Sequence, residues 1–276
     1  GKDSRPAQTK LSAVGQVGAW LWVILVVLIA IGVPHFSIIS TSLIKLRGYG
    51  LTAGNFTLDH YKELLTTPKA LASIWKSLFL AVLSATICSV IGTAVVVAVR
   101  KSKGFFKKTL EGVSLLPEML PSIVLVIGIM LFWNAIYKVI PLYNTIWIMV
   151  LAYVVLYLPY TVQYVTSAFT QINDSLLQAG RVFDGTPAYV FRRVTLPMIS
   201  RGIFAGWMMI FIIAFRELVT ASLIAPPNTL VVSTYINREF EQGSVSLGMA
   251  MAVLCVLITT TALLVFNRLV GKQKGA

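Results

Sequence analysis

Six apolar runs, each close to the roughly 20 residues a helix needs to cross a bilayer, punctuate this chain of 276 residues. They constrain the fold more than any other feature. In hydrocarbon, backbone N–H and C=O groups find no water, so a spanning segment must satisfy them internally, and a run of this length does so as a helix. The runs lie at about 17–43, 77–99, 113–133, 146–165, 203–225 and 245–266. The expectation is an all-α polytopic membrane protein whose residues 1–276 form one transmembrane domain. Charged residues, at 12%, are about half as frequent as in a soluble domain. The first run is long enough to tilt or to begin along the membrane surface, and Pro34 is placed to kink it. Its length, with no small-residue cleavage site after it, argues against a signal peptide.

A net charge of +13 in a soluble protein would suggest nucleic acid. Here the cations sit between apolar runs, so they report orientation and no nucleic-acid partner is expected. Alternate loops divide them unequally. One side holds Lys2, Arg5, Lys10, Arg100, Lys101, Lys103, Lys107, Lys108, Arg181, Arg192, Arg193, Arg201, Arg268, Lys272 and Lys274. The other holds Lys45, Arg47, Lys62, Lys69, Lys76, Lys138 and Arg238, partly offset by Asp59 and Glu63. The richer side is expected to be cytoplasmic, with both termini on it. Cys88 and Cys255 lie inside apolar runs, and His35 and His60 are far apart, so no metal site or disulfide is expected.

Two loops have internal order. Residues 45–76 carry Gly48, Gly50, Gly54 and Pro68 around a short helical pattern at 58–65, which suggests an external surface helix. In the loop 166–202, Ile172, Leu176, Ala179, Gly180 and Phe183 recur at helical steps opposite Asn173, Asp174, Gln178 and Arg181. That pattern predicts an amphipathic helix outside the membrane, stopped at Asp184, Gly185 and Pro187 and followed by a second short helix at 188–194. Such a helix either rests on lipid headgroups or docks into a groove on another protein.

Residues 178–197, QAGRVFDGTPAYVFRRVTLP, resemble the EAA loop of permease subunits in type I ABC importers, a pattern of Glu-Ala-Ala, three residues, Gly and a run ending in Leu-Pro. Aligned on Leu196 and Pro197, the Glu-Ala-Ala of that family falls on Gln178, Ala179 and Gly180, and its Gly falls on Asp184 with Gly185 one residue later. Gln178 keeps a hydrogen-bonding group but not the family's charge. The resemblance covers nearly the whole chain, since the span count and the place of the loop also agree. It implies the type I importer permease fold, with two ATP-binding subunits docked at residues 178–197 on the cytoplasmic side. It further implies a second permease subunit, identical or related, and an extracytoplasmic substrate-binding protein. The setting would be the bacterial cytoplasmic membrane. The chain has no G-x-x-x-x-G-K-[ST] phosphate loop, so ATP and Mg are expected on the partner ATPase, and this subunit is expected to be no enzyme and to hold no cofactor.

Ionisable residues inside apolar runs are expensive and need a reason. Arg216 and Glu217 fall in the fifth run, where a helix would point them about 100° apart. One of them is expected to face the pathway, the alternative being that Arg216 snorkels or pairs with a neighbouring helix. Glu118 lies between Pro117 and Pro121, which predict a broken third span, the break serving as a kink or, alternatively, its freed carbonyls as a gate. Tyr153, Tyr157, Tyr160 and Tyr164 form a stripe on the fourth span that reads as packing. For cargo, the segment FRELVTASLIAPPNTLVVSTYI resembles permeases of the iron(III), polyamine, phosphonate and sulfate group, nearest the iron(III) members. Iron(III) is the expected cargo, with the others as alternatives. The competing class is a secondary transporter without an ATPase, which commonly shows inverted repeats that are not evident here.

Overall fold

A computed structural model describes residues 12–172 and 186–272. The expected helix at 172–183 and the docking positions Gln178, Ala179, Gly180, Asp184 and Gly185 lie outside the described residues. Among the described residues, besides a single 3-10 turn at Arg47–Tyr49, ten helices follow in order: α1 Ala13–Ser42, α2 Asp59–Thr66, α3 Pro68–Lys101, α4 Gly104–Met119, α5 Ser122–Ala135, α6 Ile146–Thr170, α7 Ala188–Phe215, α8 Val219–Ile224, α9 Val232–Glu241 and α10 Val245–Lys272. The one strand-like pairing among the described residues is an isolated bridge between Ile44 and Phe56. Five helices (α1, α3, α6, α7 and α10) are long and apolar enough to span a membrane, and α4 with α5 makes a sixth if the pair counts as one broken span.

Helices α3, α6 and α7 pack pairwise into the central core. Their apolar interiors are continuous, from Leu80, Ala81, Ala85 and Cys88 on α3 through Tyr153 and Leu156 on α6 to Ile210, Phe211 and Phe215 on α7. Without a hydrophobic drive between helices in lipid, close backbone approach supplies the attraction, and small residues permit it. Gly202 and Gly206 on α7 form such a pair. A Cβ on Gly202 would lie 2.5 Å from the Ala168 Cβ, and one on Gly206 would lie 3.3 Å from the Thr161 Cα. Gly92 on α3 meets the same Thr161, where a Cβ would lie 2.7 Å from its Cγ2. The four-residue spacing of Gly202 and Gly206 was legible in the sequence; the partner helix was not.

Some sequence expectations hold and others change. The break expected in the third span is present and sharp: α4 and α5 meet at 106°, because Leu120 and Pro121 are both extended and Pro121 holds its predecessor out of the helical region. The short helix expected at 188–194 forms the first turns of α7 and runs without a break into the fifth span. That span stops at Phe215 instead of 225, so Arg216 and Glu217 do not sit on a helix. Pro34 produces no sharp kink in α1. A π turn at Leu28–Gly32 widens the helix just before it, and a second at Phe191–Thr195 does the same before Pro197. In both places the carbonyl that a proline ring would crowd four residues back lies within the π turn. The expected surface helix at 58–65 is α2, one residue shifted, and it is tied to the end of α1 by a 2.6 Å hydrogen bond between Tyr61 and Ser42 hydroxyls.

Candidate functional site

Two regions carry the candidate residues, one at an end of the bundle and one inside it. At the end shared by the C-terminus of α6 and the N-terminus of α7, a groove of about 620 Å³ opens between Tyr164, Ala168, Gln171, Pro197 and Arg201. Ile172, the last residue described before 186, is part of its lining. Gly202, where α6 and α7 approach closely, is in its lining, and Ile172 belongs to a small buried apolar cluster with Val96, Val162, Val165, Phe169 and Ile199. Of the docking-loop residues named from the sequence, Leu196 and Pro197 are described, and they open the regular α-helical part of α7 after the π turn. Arg100, at the end of α3, stands 4.9 Å over the Phe169 ring at the same end of the molecule.

The second region is the break after α7. Tyr157, near the middle of the 25-residue α6, donates its hydroxyl to Glu217 Oε2 at 2.5 Å. The other carboxylate oxygen accepts the Thr220 backbone N–H at 2.9 Å and its hydroxyl at 3.1 Å, which ties down the first turn of α8. The Glu217 carbonyl accepts the Ser233 hydroxyl from α9. One residue thus joins α6, α8 and α9 at the point where α7 ends. Three donors on one carboxylate hold its charge inside the bundle, where an unpartnered charge would be costly. Arg216 is different. It caps α7 through its backbone N–H, is exposed, and its side chain has no hydrogen-bond or ion-pair partner among the described residues.

Tyr153 and Tyr157 are buried and their rings sit 5.8 Å apart, with Tyr160 a further 6.3 Å along. The stripe therefore packs, and through Tyr157 it also anchors Glu217. Glu118, at the end of α4, is exposed and accepts a hydrogen bond from the Gln163 amide of α6. Six residues separate Tyr157 from Gln163, about 9 Å along the helix axis and about 120° around it. Glu118 and Glu217 are therefore held on different faces of α6 and do not form one site. Sequence reasoning named Tyr157, Glu118 and Glu217 but not Thr220 or Ser233, whose roles depend on a chain reversal that hydropathy does not encode. Among the described residues no group of His, Cys, Asp or Glu is arranged to hold a metal.

Residues 90–274 match the family model described as binding-protein-dependent transport system inner membrane component. The chain is similar to the spermidine/putrescine transport system permease of Haemophilus influenzae, at 21% identity over 88% of this chain and 92% of the relative. It is 24% identical to a putative 2-aminoethylphosphonate transport system permease of Salmonella typhi, over 87% of this chain and 89% of that one. A trehalose transport system permease of Mycobacterium tuberculosis is 26% identical over 82% of this chain and 84% of its own length. Among solved structures, a bacterial ABC transporter that imports the acidic polysaccharide alginate superposes with a TM-score of 0.75 at 17% identity, over 92% of this chain and 94% of that one.

Proposed function

The chain belongs to the family of binding-protein-dependent transport system inner membrane components, and from that premise we propose that it forms half of an ATP-driven import pathway. It is a permease subunit of an ABC importer. In the proposed assembly two ATP-binding subunits sit at the basic end of the permease pair, one of them docked on this chain against residues 178–185 and the start of α7 at Leu196 and Pro197. A second permease, identical or related, completes the pathway, and a substrate-binding protein delivers cargo at the opposite end. Lys and Arg enrichment supports placing that basic end, with both termini, in the cytoplasm of a bacterial inner-membrane system. Hydrolysis belongs to the partners.

The observation that carries this reading is mechanical. Helix α7 runs unbroken from beside the docking segment to the Glu217 latch, so a displacement at Pro197 is carried along a rigid rod to the point where α6, α8 and α9 meet. Drawing the docking segments of two permeases together would tilt these rods and open the pathway alternately to either side.

For cargo we propose a small molecule bearing a primary amine. Spermidine, putrescine and 2-aminoethylphosphonate, named for two of the three relatives above, share that group, trehalose, named for the third, lacks it, and iron(III) appears in none of those names. A carboxylate among tyrosine rings suits an ammonium. Arg216 and Glu217, with Glu118 at the α4–α5 bend, are the candidate pathway residues.

The test is uptake by the reconstituted complex with its binding protein. ATP-dependent accumulation of putrescine or 2-aminoethylphosphonate is expected. Accumulation driven by an ion gradient with no ATP-binding subunit present would instead favour a secondary transporter. Bulky charged substitutions at Ala179 or Gly180 are expected to release the ATPase while the membrane subunits stay together, and unchanged copurification would sink the docking assignment.

A further inference from the structure

Away from the Glu217 latch, at the end of the bundle opposite the docking groove, lies a cleft of about 270 Å³ lined by Lys69, Ala72, Lys76, Asn228, Thr229, Leu230 and Arg238. Its charge is one-sided. Three cations from two helices face it, no acidic residue lines it, and none of the three has a carboxylate within ion-pair range among the described residues.

The walls are fixed. Lys69, Ala72 and Lys76 follow at three- and four-residue steps and so share one face of α3. Opposite them, Pro226 to Thr229 form a tight turn closed by the Thr229 N–H on the Pro226 carbonyl at 3.0 Å, with Asn228 in the left-handed region at φ 59°. Next to Lys76, the Ser77 hydroxyl accepts the Val232 N–H at 2.9 Å and pins the start of α9 to α3. Helix α9 then brings Arg238 to the cleft. Lys69 and Lys76 precede the apolar stretch of α3, so the cleft sits at the level of a membrane's polar boundary.

We propose that Lys69, Lys76 and Arg238, with the Asn228 amide and the Thr229 hydroxyl, bind a phosphate- or phosphonate-type oxyanion. The cleft offers charged and neutral donors around a space for only a few heavy atoms. A phosphate or phosphonate group brings up to two negative charges and three acceptor oxygens, which match several donors at once. A single carboxylate would leave most of that positive charge uncompensated. A phosphate group arrives either as a free oxyanion or, with one charge and two free oxygens, as the phosphodiester of an anionic lipid headgroup. The site invokes neither the ATPase nor the amine; of the proposed cargoes, only 2-aminoethylphosphonate carries the group it would bind.

The experiment uses the full chain, purified with the subunits it carries, in phosphatidylcholine nanodiscs titrated with radiolabelled inorganic phosphate and competed with methylphosphonate. Saturable binding, weakened about tenfold by Lys76→Gln and by Arg238→Gln but unchanged by Lys62→Gln on α2, supports a free oxyanion. In nanodiscs containing phosphatidylglycerol, lipid that survives into native mass spectrometry and is lost from the same two variants supports the headgroup. Lys76→Arg keeps the charge and is expected to retain binding, which separates loss of the site from loss of the fold. Absence of both saturable phosphate binding and variant-sensitive lipid retention overturns the proposal. Copurification of ATP-binding subunits, measured on the same samples, reports on the transport reading separately.

Discussion

The Tyr157 hydroxyl donates to the Glu217 carboxylate at 2.5 Å, joining the middle of one transmembrane helix to the end of another across 60 positions of sequence. The bond does two things. It neutralises the cost of a carboxylate within the bundle, and it holds the point where α7 gives way to the short helix α8. Hydrogen bonds to a charged group are worth about 1.5–3 kcal/mol, and losing one partner leaves the other to be desolvated unaided. Tyr157→Phe is therefore expected to lower the melting temperature of the detergent-solubilised subunit. Transport should fall with it while the ATPase still copurifies. A melting curve unchanged from the parent would show that the latch is not energetically important.

Arg216 and Glu217 are adjacent, yet they should separate in mutagenesis. Glu217→Ala removes an acceptor used by three donors and is expected to lower stability and transport together. Arg216→Ala removes an exposed side chain with no partner among the described residues, so stability is expected to hold while uptake falls. Equal destabilisation by both variants would assign Arg216 a structural role as well.

Packing gives a paired test. Gly202→Val puts a branched side chain where even a Cβ lies 2.5 Å from Ala168 and 2.8 Å from the Tyr164 carbonyl, so α6 and α7 must part. Overpacking of this kind costs about 1–3 kcal/mol. Gly112→Val on α4 meets nothing within 4 Å and serves as the control. Expression and melting temperature should drop for the first variant only.

Helix α9 supplies a pH dependence. Burial raises the Glu239 carboxyl above its ordinary value of 4.5, with Glu63 adding to the rise and Arg238 opposing it. The folded state therefore favours the protonated form. Stability from this group is complete below the ordinary carboxylate value and is lost as pH climbs through the raised one. Glu239→Gln is expected to stabilise the protein at neutral pH, with the advantage vanishing under acid conditions. A thermal-shift series against pH checks the sign, and a constant offset at every pH would contradict it.

How much of the site was readable beforehand follows from what each residue depends on. Glu118, Arg216 and Glu217 announced themselves because charge is rare in apolar runs. The tyrosine stripe was visible as periodicity, and packing was the correct expectation for Tyr153, but the periodicity could not say that Tyr157 alone reaches a carboxylate. Thr220 and Ser233 gave no signal, since ordinary polar residues beside a span look the same whether they bond a charge or face water.

Hydrophobic run length, proline position and cation asymmetry belong to the chain itself, because transfer from water to lipid is summed over local segments. They determined an all-helical membrane protein, an interruption near Pro121 and an expected orientation. Where α7 ends was decided only by the tertiary structure. The segment 203–225 is apolar enough to continue as one helix. It stops at Phe215 because Tyr157, Thr220 and Ser233 converge on Glu217, and the energy of that convergence exists only when four helices have already come together.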